Sequence, residues 1–326
     1  MAESGMLPEL GVIGWPLDMT FSPAMHEAAL KEAGLGWRYQ RIPVAPHGLD
    51  DFMKTARATM RGVNVTMPHK HAVAEMCSQV DTLSSLSGAV NTVVFGNGAG
   101  LDWTGQTCPA AEPPTGSQDV PFTRGFNTDG PGLLRALAER AAFEPDGKTV
   151  MVLGSGGSAG ACAAQMALSG ARELVVVNRT LSRAEALCAR MSQAFPRTGW
   201  TPLDPVGHNL ASGDSVGAGG AEAALEAAVE RADLILSCVP AAGHDAFTHI
   251  IQRASPGTVF VDLAYSSSPT GLHVLAQQAG LRPVPGLEML LWQAALSFEI
   301  FTGASAPVDA MHRALVNVAG GWWSEC

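Results

Sequence analysis

At 326 residues, 47% hydrophobic and 15% charged, the chain has the composition of a compact folded protein long enough for two domains. A formal charge of −10 argues against nucleic acid or an anionic membrane as partner, since both need a positive field; a small anion held by a few local Arg or Lys stays open. No cysteine pair has CxxC spacing, and His69/His71 and His244/His249 put no two ligands on one helix face. No apolar run reaches the ~18 residues of a membrane span, and the first ten residues lack a signal pattern. The expectation is a cytoplasmic protein without a metal site, for which a small anionic ligand stays open.

The first part of the chain alternates strands and helices. Apolar runs at 10–14 and 38–44 predict strands, and the spacing over 22–34 predicts a helix, with Ser22 as N-cap and Pro23 at its first position. A helix near 48–59 leads to a strand at 62–66, a helix opening at Pro68, and a further strand within 88–95. From 96 to 125 the composition turns to Gly, Pro, Ser and Thr with no period, which predicts a long surface loop. An amphipathic helix follows over 129–143.

A βαβ pattern then restarts: a strand at 148–154, a helix at 156–170, a strand at 173–178 and a helix at 181–193. Strands at 232–239 and 257–263 continue it, all apolar, as a parallel sheet covered on both faces requires. The Gly/Ser-rich stretch 207–222 predicts a mobile surface loop, and helices over 286–303 and 307–320 close the chain.

Between the strand at 148 and its helix stands Gly154-Ser155-Gly156-Gly157-Ser158, small residues that let backbone N–H groups approach a pyrophosphate at a helix N-terminus. The next strand ends at Asn178-Arg179-Thr180 with Arg183 close behind. NAD sites usually carry an acid here for the ribose 2′-hydroxyl; two arginines in its place suit a 2′-phosphate, so the pattern points to NADP. A second irregularity is Lys70. Of 20 basic residues 16 are Arg, yet a lysine follows "NVTMPH", at the first turn of an expected helix where the dipole favours a neutral amine. Unlike arginine, a lysine can exchange a proton. Asp129 opens another helix, where a carboxylate is favoured, so a Lys–Asp pair could carry proton traffic at a substrate hydroxyl.

Together "GVIGWPLDMTFSPAMHEAAL", "VNVTMPHK", "GAVNTVV", "GFNTDG", "VLGSGGSAG" with "NRTLSR", "VDLAYSSSPT" and "GLEMLLWQA" resemble the shikimate/quinate dehydrogenase family over almost the whole chain. The resemblance implies an α/β fold in which an N-terminal substrate domain (1–128, with 286–326 returning to it) is joined to a Rossmann-like parallel-sheet NADP domain (129–285). It makes Lys70 and Asp129 the catalytic pair. Thr20 and Ser22 would hold the substrate carboxylate, Thr66, Asn91 and Gln293 the ring hydroxyls, and Tyr265 would lie on the substrate side. Gly154 to Ser158, Asn178, Arg179, Thr180 and Arg183 would bind NADP, with Met289 near the nicotinamide. The implied reaction interconverts 3-dehydroshikimate and shikimate, by a monomer or homodimer. Three departures from the family pattern are Thr20 in place of serine, after Met19 rather than histidine; Glu27 in place of asparagine; and the lengthened segment between Asn91 and Asp129. They leave open a related substrate such as quinate, and a catalytically silent NADP-binding module is the reading from another class.

Overall fold

The computed structural model describes residues 8–96, 122–205 and 218–324. The expected bodies of 97–121 and 207–217 lie outside them. Two compact units divide the chain: residues 1–128 with 293–318, and residues 129–292 with 319–326.

In the first unit, β1 (Leu10–Gly14), α1 (Ser22–Glu32), β2 (Tyr39–Pro43), α2 (Leu49–Thr59) and β3 (Gly62–Val65) form two βαβ steps of a parallel sheet. After α3 (Lys70–Met76), β4 (Gln79–Val80) and α4 (Thr82–Ser87), the sheet turns antiparallel with β5 (Thr92–Gly96) and β6 (Phe122–Phe126). The strand order is β2-β1-β3-β5-β6-β4. Strand alternation sorts the side chains: Val63, Val65 and Val93 enter a core with Leu49, Met53 and Ala56 of α2, whose spacing lays one stripe on the sheet. The other face carries Asn64 opposite Thr92 in register.

Several expectations are corrected here. The helix expected at Pro68 begins at Lys70, because His69 N–H closes a turn on the Thr66 carbonyl (3.0 Å) first. Ser22 is the first residue of α1 rather than its cap; its own N–H is taken by the Thr20 hydroxyl (3.3 Å). The supposed loop 96–125 ends in strand β6. No apolar period marks it, since the antiparallel ladder with β5 supplies its stability, and Gly125 is needed because a Cβ there would come within 2.6 Å of Val90 Cγ2 and 2.8 Å of Cys77 Sγ.

The second unit opens with α5 (Asp129–Ala141). It continues through β7 (Thr149–Leu153), α6 (Gly157–Leu168), β8 (Glu173–Val177), α7 (Leu181–Ala194), β9 (Gly199–Leu203), α8 (Ala218–Glu230) and β10 (Leu234–Ser237). Then come α9 (Thr248–Arg253), β11 (Val259–Asp262), α10 (Gly271–Gln278), β12 (Arg282–Pro285), α11 (Gly286–Thr302) and α12 (Val308–Ala319); α11 and α12 supply residues to both units. All six strands pair in parallel in the order β12-β11-β10-β7-β8-β9, a doubly wound sheet whose order reverses between β7 and β10.

Both faces are buried. Val150, Val152, Leu234 and Leu236 point into one core with Leu133 and Leu137 of α5 and Cys162 and Met166 of α6. Met151, Leu153, Ile235 and Phe260 point into the other with Val229, Ile250 and Leu272. This double burial is why these strands read as unbroken apolar runs. The supposed loop 207–222 gives way to helix α8 from Ala218; its first residues are Ala-Gly-Gly-Ala, which carry no apolar stripe of their own. Strands β9 and β12 contain proline (Pro202, Pro283), sit at the sheet edges, and lack the sequence signal of the central strands.

Candidate active site

In the first unit, a buried polar network stands on the sheet face that α11 covers. Asn64 Nδ2 has two protons to share among three oxygens in reach, the Asn91 carbonyl (3.2 Å), Thr92 Oγ1 (3.0 Å) and Ser297 Oγ (3.0 Å), while Asn64 Oδ1 accepts from the Tyr39 hydroxyl (2.8 Å). Asn91 is the hub. Its Nδ2 donates to Thr128 Oγ1 (2.9 Å) and reaches Gln293 Oε1 at 3.5 Å; its Oδ1 accepts from the Thr128 N–H (2.9 Å) and the Thr92 hydroxyl (3.0 Å). Ser297, one turn beyond Gln293, donates to the Gln293 carbonyl (2.9 Å). Buried amides are costly unless paired, and here nearly every valence is used, so the side chains have one arrangement.

Lys70 is the first residue of α3 and half-buried; its carbonyl accepts the Val90 N–H (2.9 Å), which ties it to the residue before Asn91. Thr66 is half-buried, with its N–H on the Ile13 carbonyl (2.9 Å). Buried His69 holds the turn between them to the residue after β2 through Nε2 and the Val44 carbonyl (2.7 Å). The Thr20 hydroxyl donates to Ser22 Oγ at 3.3 Å, so two hydroxyls meet at the start of α1. Glu27 is explained structurally: its carboxylate accepts the Tyr39 N–H at the start of β2.

In the second unit, Asp129 is 3% exposed at the first position of α5, and its Oδ2 accepts the Ser158 hydroxyl at 2.9 Å. The preceding strand end is pinned by Asp81, which caps α4 through the Ser84 N–H (2.7 Å) and accepts the Asn127 N–H (3.3 Å) within the first unit.

The glycine turn follows β7 where the strand order reverses. Gly154 has φ +106, and a Cβ on it would lie 3.1 Å from Val239 Cγ1 and 3.4 Å from the Cys238 carbonyl; a Cβ on Gly156 would meet nothing within 4 Å. No side chain caps the first turn of α6, so its N–H groups are presented to that open space. This fits a pyrophosphate. After β8, Asn178 Nδ2 donates to the Thr180 carbonyl (2.9 Å) and shapes the turn, leaving Thr180, Arg179 and Arg183 exposed beside a helix whose first turn holds no acid. Those arginines fit a 2′-phosphate.

Met289 is buried in the core with Val152 and Val261, so its surroundings are apolar packing, while Gln293 lies on the next turn of α11 with its amide on Asn91. Tyr265 is half-buried in the segment after β11. In the same segment Asp262, 1% exposed, accepts from the Thr270 hydroxyl (2.6 Å) and the Ala264 N–H (3.2 Å) and lies 3.5 Å from His244 Nε2. Burial opposes charge on His244, but Asp262, the Val239 backbone and Asp245 outweigh it and hold the imidazole above its ordinary range. Burial pushes the thiols of Cys77 and Cys188 up to about 12, so neither is a nucleophile. Among the described residues no group of three or more His, Cys, Asp or Glu could hold a metal ion.

Sequence reasoning missed Asn64, Thr92, Thr128, Ser297 and Asp262. Asn64 and Thr128 lie within the quoted motifs, and for Asn64 in β3 and Thr92 in β5 a polar side chain inside an apolar strand was the available signal. Ser297 carried none, being one small residue on a helix whose register only the fold reveals.

Comparison with known proteins gives three family-model matches: a shikimate dehydrogenase substrate binding domain at residues 12–93, a shikimate/quinate 5-dehydrogenase at 136–216, and a shikimate 5′-dehydrogenase C-terminal domain at 286–316. The chain is 35% identical over 312 residues to the NADP(+) shikimate dehydrogenase of Methanopyrus kandleri, covering 94% of each. It superposes on shikimate 5-dehydrogenase of Listeria monocytogenes, solved with shikimate and NAD, with a TM-score of 0.75 at 27% identity, covering 94% of this chain and 96% of that one. The enzyme of Thermus thermophilus, solved with NADP(H) and shikimate, gives a TM-score of 0.68 at 27% identity over 94% and 98%.

Proposed function

The chain belongs to the shikimate dehydrogenase family, and from that premise we propose that it interconverts 3-dehydroshikimate and shikimate with NADP as its redox partner. NADPH held by the glycine turn and by Arg179 and Arg183 would supply the hydride for the ring carbonyl carbon. In that direction Lys70 gives the proton that the carbonyl oxygen takes up, and in the oxidation it receives that proton back. Asp129 takes part in the same proton traffic and accepts from a ring hydroxyl. Asn91 and Gln293, with Thr66, bond the remaining hydroxyls, and the paired hydroxyls of Thr20 and Ser22 receive the carboxylate. Tyr265 stands on the substrate side and Met289 lines the apolar wall next to the nicotinamide.

The observation that carries this reading is the Asn91 hub. Lys70 is bonded through its carbonyl to Val90, and Asn91 grips Thr128, the residue immediately before Asp129. One buried amide thus fixes, within the first unit, the residue next to Val90 and the residue that leads into Asp129. The 1–128 and 293–318 unit is the proposed substrate domain, and the doubly wound unit, with its glycine turn and two arginines, the proposed NADP domain. The enzyme is read as cytoplasmic, a monomer or homodimer. No helix among the described residues is long and apolar enough to cross a membrane.

Steady-state oxidation of shikimate and of quinate, each with NADP and with NAD, tests the proposal. Turnover with shikimate and NADP far above the other three pairs is the expected result. Preference for quinate would mean that Thr20 or the lengthened segment has reshaped the pocket. Silence with all four would leave a binding module.

A further inference from the structure

Ser158 belongs to the glycine-rich turn, and its place in the sequence assigns it to the cofactor. The geometry gives it a different duty. A serine hydroxyl has one proton to donate, and a pyrophosphate offers only acceptors, so a serine that grips a phosphate must spend that proton there. In this chain the Ser158 proton goes to Asp129 Oδ2 at 2.9 Å. Asp129 is 3% exposed, and a carboxylate taken so far from water depends on each donor it is given.

The two residues are well placed for this. Asp129 is the first residue of α5, Ser158 the second of α6, and the helices pack side by side through Leu133, Ala136, Ala159 and Ala163. The backbone N–H of Ser158 remains part of the uncapped first turn of α6.

We infer that Ser158 divides its work: its backbone faces the cofactor phosphates, while its hydroxyl fixes the Asp129 carboxylate in one rotamer, which makes it a positioning residue for the reaction. The inference rests on the proposed catalytic role of Asp129. It also makes the hydroxyl a direct link between the cofactor turn and the proton-carrying carboxylate.

The test compares Ser158→Ala, Ser158→Thr, Asp129→Asn and the Ser158→Ala/Asp129→Asn double variant. The readouts are NADP affinity of the free enzyme by calorimetry, and kcat and KM for shikimate. Ser158→Ala is expected to leave NADP affinity within about twofold and shikimate KM within about threefold, while kcat falls about tenfold, as for a lost bond to a charged group. Ser158→Thr, which keeps the hydroxyl, is expected to recover most of that kcat. In the Asp129→Asn background the Ser158→Ala change should cost nothing further. A tenfold loss of NADP affinity at unchanged kcat would return the hydroxyl to the cofactor and overturn the inference, as would a full set of unchanged constants. An Asp129→Asn enzyme of near-parental kcat would sink the catalytic reading, and the inference with it. An impaired Asp129→Asn enzyme that still loses tenfold on Ser158→Ala would sink the inference alone.

Discussion

A lysine at position 70 of an arginine-preferring chain is explained if a proton has to leave it. Arginine would keep the charge at the start of α3 but could not act as an acid or base near neutral pH. Lys70→Ala should therefore lower kcat by about 10²–10⁴ while the protein stays folded. A circular-dichroism melt alongside the kinetics separates the two effects, and a drop below threefold would remove Lys70 from the mechanism. At this scale the sequence is most informative where a residue type is unusual for its place, as at Lys70, Asp129 and Arg179, whose roles are proposed. It was least informative where function rests on ordinary ones. Thr92, Thr128 and Ser297 are unremarkable by type, and their role comes entirely from meeting Asn64 and Asn91 across strands and a helix.

Elements decide the cofactor end. Strand β7, the glycine turn and α6 were legible because double burial makes the strand apolar and the turn needs small residues. Gly154 is the demanding position: with φ +106 and Val239 Cγ1 3.1 Å from any added Cβ, Gly154→Ala should cost about 1–3 kcal/mol of stability by denaturant titration. It should also weaken NADP binding, since the turn must shift; unchanged stability and affinity would show the turn to be tolerant. On the adjacent turn, Arg179→Ala should cost about 1.5–3 kcal/mol of NADP affinity and leave NAD affinity nearly as it was. Equal affinities for NADP and NAD in the parent would contradict the selector reading. Elements of the opposite kind escaped the sequence. Strand β6 has Gly125 where a strand residue is expected, α8 opens in a glycine run, and the edge strands carry proline, so each is held by its neighbours rather than by its own pattern.

For the molecule as a whole, one buried histidine sets part of the acid stability. His26 is stacked on Tyr39 with ring centroids 4.2 Å apart and its Nδ1 makes no hydrogen bond. Burial lowers its pKa from 6.5 to about 3 in the folded protein. Below pH 6.5 the unfolded chain therefore binds a proton that the folded one refuses, and stability falls as the pH drops from there toward 3. The slope is about 1.4 kcal/mol per pH unit at most. Replacing it by an aromatic that cannot titrate, His26→Phe, should remove about 2 kcal/mol of the stability lost between pH 7 and pH 5. Urea unfolding at the two pH values reads this directly; equal losses in both proteins would mean that His26 is hydrated or protonated in the native state.

What the sequence by itself determined was periodic or chemical: the doubly covered strands, the amphipathic helices, the glycine turn, the absence of an acid after β8, and a lysine at position 70 of a chain that otherwise prefers arginine. Each is imposed on a short stretch by local sterics or by the charge of a ligand, so each leaves a local mark. The tertiary structure alone decided the antiparallel turn of the first sheet, the Asn64–Asn91 network, and the bond from Ser158 to Asp129. Those depend on which residues meet across tens or hundreds of positions, where a hydroxyl or an amide is defined by its partner, and no short stretch of sequence contains the partner.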